Sequence, residues 1–117
     1  MNIDLDKVPL TAAETLSMFM TALTDDEKKA LQDVKEDDIA LFLHSWGAEI
    51  KNLWSLTEVN TPVVNGYKLI GTTHPDDMVS IILLSTHRQL NKKPIKLKEQ
   101  ISNIQEYWQN VIGKPMP

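Results

Sequence analysis

The chain has 117 residues, 42% of them apolar and 24% charged, which suits one globular domain with a hydrophobic core and leaves no room for two. It contains no cysteine, which excludes a disulfide framework, a thiolate metal site and a cysteine nucleophile. No apolar run approaches the roughly 20 residues that cross a bilayer, and the first residues do not resemble a secretory signal. We therefore expect a soluble protein of the cytoplasm with no membrane partner.

Acidic residues are concentrated in the first third of the chain. Ten of the 16 acids lie within residues 1–40, where only four lysines oppose them, although the net charge of the whole chain is only −4. Such an asymmetry is typical of a surface that attracts a basic partner. The acids of this candidate surface are Asp25, Asp26, Glu27, Asp33, Glu36, Asp37 and Asp38. The competing interpretation is that these carboxylates only stabilise the first turns of helices, where the helix dipole favours negative charge.

Two copies of the capping-box pattern predict the first two helices. Thr11 is followed three residues later by Glu14, and Thr24 by Glu27. Each threonine can accept a hydrogen bond from a backbone N–H while the glutamate bonds back to the threonine. The first helix should cover residues 12–23 and the second, shorter helix residues 25–32.

The third predicted helix, over residues 37–56, has the clearest pattern. Seven apolar side chains fall within an arc of about 120° on a helical wheel, which predicts a core-facing stripe. They are Ile39, Phe42, Leu43, Trp46, Ile50, Leu53 and Trp54. A second stripe contains His44, Gly47 and Lys51, and its glycine suggests a close approach by a neighbouring group.

Residues 63–70 allow two structures. Asn65-Gly66 between β-formers is a strong signal for a β-hairpin. Thr61-Pro62 could instead be the cap and first residue of a two-turn helix that stops at Gly71. The pattern alone leaves both alternatives open.

The remaining chain predicts two more helices. His74 and Pro75 open one that should run to about residue 91 in a central position, because apolar side chains surround it. The last should cover residues 96–112 and stop at Gly113. Its apolar side chains recur every three or four residues, which predicts one core-facing stripe of Leu97, Ile101, Ile104, Trp108 and Val111. The fold class is therefore mostly all-α, a compact bundle of five or six helices with at most one small hairpin. We expect a single helical domain over residues 1–117, frayed at 1–10 and 113–117.

The polar residues form no recognisable catalytic or metal motif. The histidines at 44, 74 and 87 have no H-x-x-x-H spacing, and we expect His87 to be exposed. Asp76 and Asp77 are adjacent, so on a helix their side chains point about 100° apart and do not share a proton. We therefore assign no catalytic residue, no metal and no cofactor.

Five bases lie close together near the end of the predicted central helix. They are Arg88, Lys92, Lys93, Lys96 and Lys98. Such a cluster can bind the phosphates of a nucleic acid. However, it lacks aromatic residues for base stacking, and the chain is acidic overall. We interpret these bases as a solvated helix end and loop, which disfavours nucleic acid as a partner.

Two segments, FLHSWGAEIKNLW (42–54) and HPDDMVSIILLSTHRQLNKKPI (74–95), carry a family resemblance. They resemble a small bacterial domain family of unknown function with an H-x-x-G-x-x-I-R-N-x-W segment, then HPDDM-S-x-IIL and an R-x-L-N stretch. This chain has Lys51 in place of the arginine and Val79 in place of the serine. Lysine lacks the planar guanidinium with which an arginine donates two parallel hydrogen bonds to a carboxylate. The resemblance implies no activity.

The matching segments suggest a joint polar cluster of His44, Lys51, Asn52, His74, Asp76 and Asp77. We expect Lys51 or Asn52 to approach Asp76 or Asp77. Such a contact either joins two helices or forms part of a ligand or partner site, and the sequence leaves this choice open.

The acidic first third and the small cysteine-free body favour a non-enzymatic binding protein. The expected type is an inhibitor or immunity protein that neutralises a partner protein, such as a basic toxin domain. The alternative is a small enzyme or ligand-binding module that uses the polar cluster.

Overall fold

The computed structural model describes residues 11–112, which are helical apart from short connections. In chain order they form α1 (Ala12–Ala22), α2 (Asp25–Asp33), a 3-10 helix (Glu36–Asp38), α3 (Ala40–Leu53), α4 (Pro62–Leu69), α5 (Pro75–Leu90), α6 (Leu97–Glu106) and a π-helix (Tyr107–Ile112). The prediction of a mostly helical fold is thus confirmed. The predicted frayed ends, residues 1–10 and 113–117, lie outside the described residues, as does Gly113 as a stop.

The threonine caps open α1 and α2 as predicted. Thr11 Oγ1 accepts a hydrogen bond from Glu14 N at 3.1 Å. Thr24 Oγ1 accepts one from Glu27 N at 3.2 Å, and Thr24 N donates to Glu27 Oε1 at 2.9 Å. Both bonds of a capping box are therefore present at the start of α2.

Of the two structures that the sequence allowed around residues 63–70, the helix forms, as α4, and the hairpin does not. Thr61 Oγ1 accepts a hydrogen bond from Val64 N, and Pro62 occupies the first helical position. Val63, Val64 and Tyr67 are all buried. Their spacing places them on one side of a helix, whereas a strand would send Val63 and Val64 to opposite faces. Asn65 and Gly66 consequently lie inside the helix rather than in a turn.

The third helix is shorter at both ends than the predicted range 37–56. Residues 36–38 form a separate 3-10 turn, and α3 covers only Ala40–Leu53. At the other end the chain turns away through Trp54 and Ser55, whose backbone is left-handed with φ 51°.

Three helices end in the same kind of turn, a Schellman motif with a left-handed residue just after the helix. The left-handed residues are Ser55 after α3, Gly71 after α4 and Lys92 after α5, with φ of 51°, 95° and 57°. The closing backbone bonds run from Leu56 N to Lys51 O, from Thr72 N to Tyr67 O and from Lys93 N to Arg88 O, at 3.0, 3.0 and 2.8 Å. These turns redirect the chain so that successive helices pack against one another.

Helix α5 lies at the centre of the fold, as its apolar sequence predicted. It contacts α1, α2, α3 and α6. Its side chains at 78, 79, 81, 82 and 83 are all fully or almost fully buried. Because these positions spread over more than half of the helix circumference, neighbours must cover most of α5.

The final helix changes character within its predicted range of 96–112. Helix α6 ends at Glu106 and a π-helix follows from Tyr107. Leu97, Ile101 and Ile104 pack against the core, as their spacing predicted. Trp108, on the same predicted stripe, contacts a polar region instead.

Candidate functional site

The end of α3 meets the start of α5 in a polar junction formed by Lys51, His74, Asp76, Asp77 and Trp108. Lys51 Nζ donates to Asp76 Oδ1 at 2.9 Å. This is the contact that the sequence led us to expect between the two helices. The lysine side chain is 29% exposed and that of Asp76 is 58% exposed, so water screens the pair only in part.

His74 and Trp108 complete the polar junction. His74 caps α5, since its Nδ1 accepts a hydrogen bond from Asp76 N at 3.2 Å. This bond requires Nδ1 to be unprotonated, which assigns the proton of the neutral ring to Nε2. The Trp108 ring lies 5.6 Å from that of His74, and its Nε1 donates to Asp77 Oδ2 at 2.9 Å.

The polar junction joins three elements, α3, α5 and the π-helix. Of the six residues that the sequence placed in one cluster, the structure brings together Lys51, His74, Asp76 and Asp77. His44 and Asn52 are exposed, and neither side chain makes a hydrogen bond with another described residue. Trp108 was missed as a member because its apolar spacing indicated a core position and nothing in the sequence indicated a π-helix.

A second junction holds the other end of α5. His87 Nε2 lies 2.8 Å from the carbonyl oxygen of Val34, and the histidine is only 3% exposed. The expectation that His87 is exposed is therefore wrong, because its ring turns inward onto the connection after α2. Asn91 Nδ2 donates to the carbonyl oxygen of Gln32, in the last turn of α2, at 3.2 Å.

Arg88 belongs to this second junction and is not a solvated end residue. Its Nε donates to Glu36 Oε1 at 2.8 Å and its Nη1 to Ile95 O at 2.7 Å, while Nη2 lies 3.7 Å from Glu99 Oε1. The hydrogen bond from Arg88 lowers the pKa of Glu36, and the same bond raises the pKa of Arg88. Arg88 therefore ties together the 3-10 helix, α5 and α6.

The seven acids of the candidate surface divide into two groups. Glu27 belongs to the capping box, Asp33 Oδ2 lies 3.2 Å from Lys29 Nζ on α2, and Glu36 pairs with Arg88. The other four are exposed and form no ion pair with a described residue: Asp25, Asp26, Asp37 and Asp38. The first two lie in the first turn of α2, and the last two lie in the 3-10 helix directly before α3.

The outer face of α3 begins beside Asp37 and Asp38. Five small or uncharged residues on this face are exposed: Ala40, Leu41, His44, Ser45 and Ala48. Leu41 has 64% of its surface exposed. A Cβ added to Gly47 would meet no atom within 4 Å, so the close approach expected at this glycine does not occur.

The described residues contain no group of three or more histidines and carboxylates arranged to hold a metal ion. Within the same range, no helix is both long and apolar enough to cross a membrane.

Comparison with known proteins gives one match. No curated protein and no solved structure is similar enough to match this chain. Residues 8–90 match the model of a family described as a domain of unknown function, DUF6794, which spans α1 to the last residue of α5. This range includes most of the two segments on which the sequence resemblance rests, and the chain belongs to this family of domains of unknown function.

Proposed function

We propose that the protein is a non-enzymatic binding protein of the bacterial cytoplasm that neutralises a basic partner protein, such as a toxin domain. The outer face of α3, together with Asp37 and Asp38, is the docking surface. The observation that carries the proposal is an exposed leucine, Leu41, among small side chains and next to two unpaired acids.

The side chains of this face suit contact with another protein. Alanine and serine leave the helix backbone accessible, and the Leu41 side chain offers an apolar anchor for the centre of an interface. Gly47, beside this face, is itself buried, but an added Cβ would meet no atom within 4 Å, and glycine lowers helix propensity by about 1 kcal/mol relative to alanine.

The two acids give the surface its preference for a basic partner. Asp37 and Asp38 have no cationic partner among the described residues, so their charge is available for long-range attraction. By contrast, Glu27, Asp33 and Glu36 are engaged within the fold. The polar junction supports the binding interpretation over the enzymatic alternative, because Lys51, Asp76 and Asp77 contact neighbouring helices.

The test begins with capture of the partner from the native cell on the immobilised protein, followed by affinity measurements on the recovered partner at low and high salt. We expect Asp37→Asn/Asp38→Asn to lower both the affinity and its salt dependence. We expect Leu41→Gln to lower the affinity by about tenfold or more while leaving the salt dependence unchanged.

Two matched controls are available. Asp25→Asn/Asp26→Asn removes the same charge from the first turn of α2, whereas Asp37 and Asp38 lie in the 3-10 helix after α2. Leu69→Gln replaces another exposed leucine. Leu69 lies on α4 and has 88% of its surface exposed. Both controls should bind as the wild type does. If the Leu41 and Asp37/Asp38 variants also bind as the wild type does, the docking surface is wrong.

A further inference from the structure

We infer that the chain also forms a domain-swapped dimer, in which α6 of each copy packs on α5 of the other. In the monomer these two helices form an antiparallel hairpin. Gln100 Nε2 donates to Ser85 Oγ at 3.1 Å near the turn of the hairpin. Trp108 Nε1, in the π-helix, donates to Asp77 Oδ2 at 2.9 Å near the open end. The exposed residues 92–94 are the hinge about which this hairpin opens.

The hinge carries backbone strain that the swapped dimer removes. Lys92 has φ of 57°, in the left-handed region that disfavours a residue with a Cβ. The monomer needs this conformation because the Schellman turn reverses the chain after α5. Pro94 disfavours a helical backbone at Lys93 and favours an extended one. An open hinge therefore releases Lys92 from the left-handed region and suits the preference of Lys93.

The contacts between α6 and α5 can form equally well between two copies. Leu97, Ile101 and Ile104 of α6 pack against the core, so a released α6 exposes apolar surface that favours rebinding. Gln100 is buried and needs the hydroxyl of Ser85 as a partner. The α5 site of a second copy supplies the same partners in the same geometry.

The hinge decides the balance between monomer and dimer, because the helix contacts are the same in both. In the monomer the hinge holds α6 near its site at an effective concentration on the order of 1 mM. Relief of the left-handed Lys92 in both copies favours the dimer by about tenfold or more. We therefore expect the dimer to dissociate with a Kd of about 0.1 mM or lower.

The experiment unfolds the full chain in urea, refolds it at about 1 mM and at about 10 μM, and measures its mass by chromatography with light scattering. We expect mostly dimer at the higher concentration and mostly monomer at the lower. Lys92→Gly should weaken dimerisation by about tenfold or more, because glycine removes the strain from the closed hinge. Ser55→Gly is the matched control, since Ser55 has φ of 51° in the same kind of turn but lies outside the hinge. It should leave dimerisation unchanged.

Cross-linking distinguishes a swapped dimer from an ordinary one. Chains with Asp77→Cys and chains with Trp108→Cys are refolded together and treated with a short bismaleimide. The natural chain has no cysteine, so each variant carries a single thiol. In the swapped dimer the thiols at 77 and 108 of different copies lie side by side and should be linked. The double variant Asp77→Cys/Trp108→Cys, refolded as a monomer, should be linked within one chain and verifies the reach of the reagent.

Three outcomes would overturn the inference: no dimer after refolding at the higher concentration, a dimer without links between the two chains, or equal dimerisation of Lys92→Gly and the wild type. Circular dichroism of each variant verifies its fold. The hinge and α6 share no residue with the outer face of α3, so this test is independent of the proposed docking surface.

Discussion

At the scale of single residues, polar side chains that look ready for chemistry contribute to the architecture instead. The Arg88 guanidinium, 11% exposed, contacts two carboxylates and a carbonyl from three different elements. The buried hydroxyls of Thr15 and Tyr67 share a hydrogen bond of 2.6 Å between α1 and α4. Burial raises the pKa of Tyr67 far above its ordinary value, so the phenol stays neutral and holds this contact.

The Glu36 pair with Arg88 should make stability depend on pH. Because the hydrogen bond from Arg88 lowers the pKa of Glu36 in the folded state, the pair stabilises the fold fully above the ordinary glutamate pKa of 4.5. This stabilisation is lost as the pH falls through the lower, folded-state pKa. Glu36→Gln should therefore lower the free energy of unfolding by about 1 kcal/mol at neutral pH and by much less near pH 3, as measured by urea denaturation.

Asp33→Asn is the control for this pH dependence. Asp33 pairs with Lys29 on the open surface of α2, where both side chains are more than half exposed. Its replacement should change stability by less than about 0.5 kcal/mol at either pH. If Glu36→Gln lowers the free energy of unfolding equally at neutral pH and at pH 3, the lost stability does not come from ionisation of Glu36.

Gly47 offers a stabilising substitution. An added Cβ would meet no atom within 4 Å, so Gly47→Ala should raise the free energy of unfolding by up to about 1 kcal/mol through helix propensity. The neighbouring change Ala48→Gly, at an exposed position, should lower it by a similar amount. A destabilised Gly47→Ala would reveal a contact that limits space there.

At the scale of elements, helix ends decide how the chain is folded back on itself. Three Schellman turns place Ser55, Gly71 and Lys92 in the left-handed region, where a residue with a Cβ is disfavoured by about 1–2 kcal/mol. The sequence identified Gly71 as a stop because glycine is the usual residue at this position. Ser55 and Lys92 carry no such signal, which explains why the predicted end of α3 was three residues too late.

At these three positions, a substitution that introduces glycine should raise the free energy of unfolding, and one that removes glycine should lower it. Lys92→Gly and Ser55→Gly should each raise the free energy of unfolding by about 0.5–1 kcal/mol, since glycine adopts the left-handed conformation without strain. Gly71→Ala should lower it, because φ is 95° and the new Cβ would lie 3.3 Å from Gln105 Nε2. Thermal and urea unfolding of the three variants measures the effects. A stabilised Gly71→Ala or a destabilised Lys92→Gly would contradict this account.

At the scale of the whole molecule, α5 should be the most protected element. It contacts α1, α2, α3 and α6, whereas α6 packs on α5 and is otherwise largely exposed. We expect amide hydrogens of α5 to exchange only through global unfolding and those of α6 through smaller openings of lower free energy. Native-state hydrogen exchange as a function of denaturant measures both. Equal protection of α5 and α6 would contradict this ordering.

The sequence predicted what depends on local pattern and failed where tertiary contacts decide. Threonine caps and apolar periodicity located the helices, and the central position of α5 followed from its apolar residues on every side. Asn65-Gly66 favours a hairpin locally, but this segment is a helix because only a helix buries Val63, Val64 and Tyr67 on one side. The contact between Lys51 and Asp76 was foreseen, but the inward turn of His87 and the bond from Trp108 to Asp77 depend on partners distant in sequence.

The match to the family ends at Leu90, the last residue of α5, yet the helix beyond it covers parts of the matched unit. Gln105 and Ile101 pack over Gly71, and Trp108 bonds to Asp77, although all three lie outside the matched range. The chain therefore consists of a matched body and a covering segment outside the match. A chain that stopped after α5 would leave Gly71 and Asp77 without these contacts, so part of the matched body depends for its cover on residues beyond it.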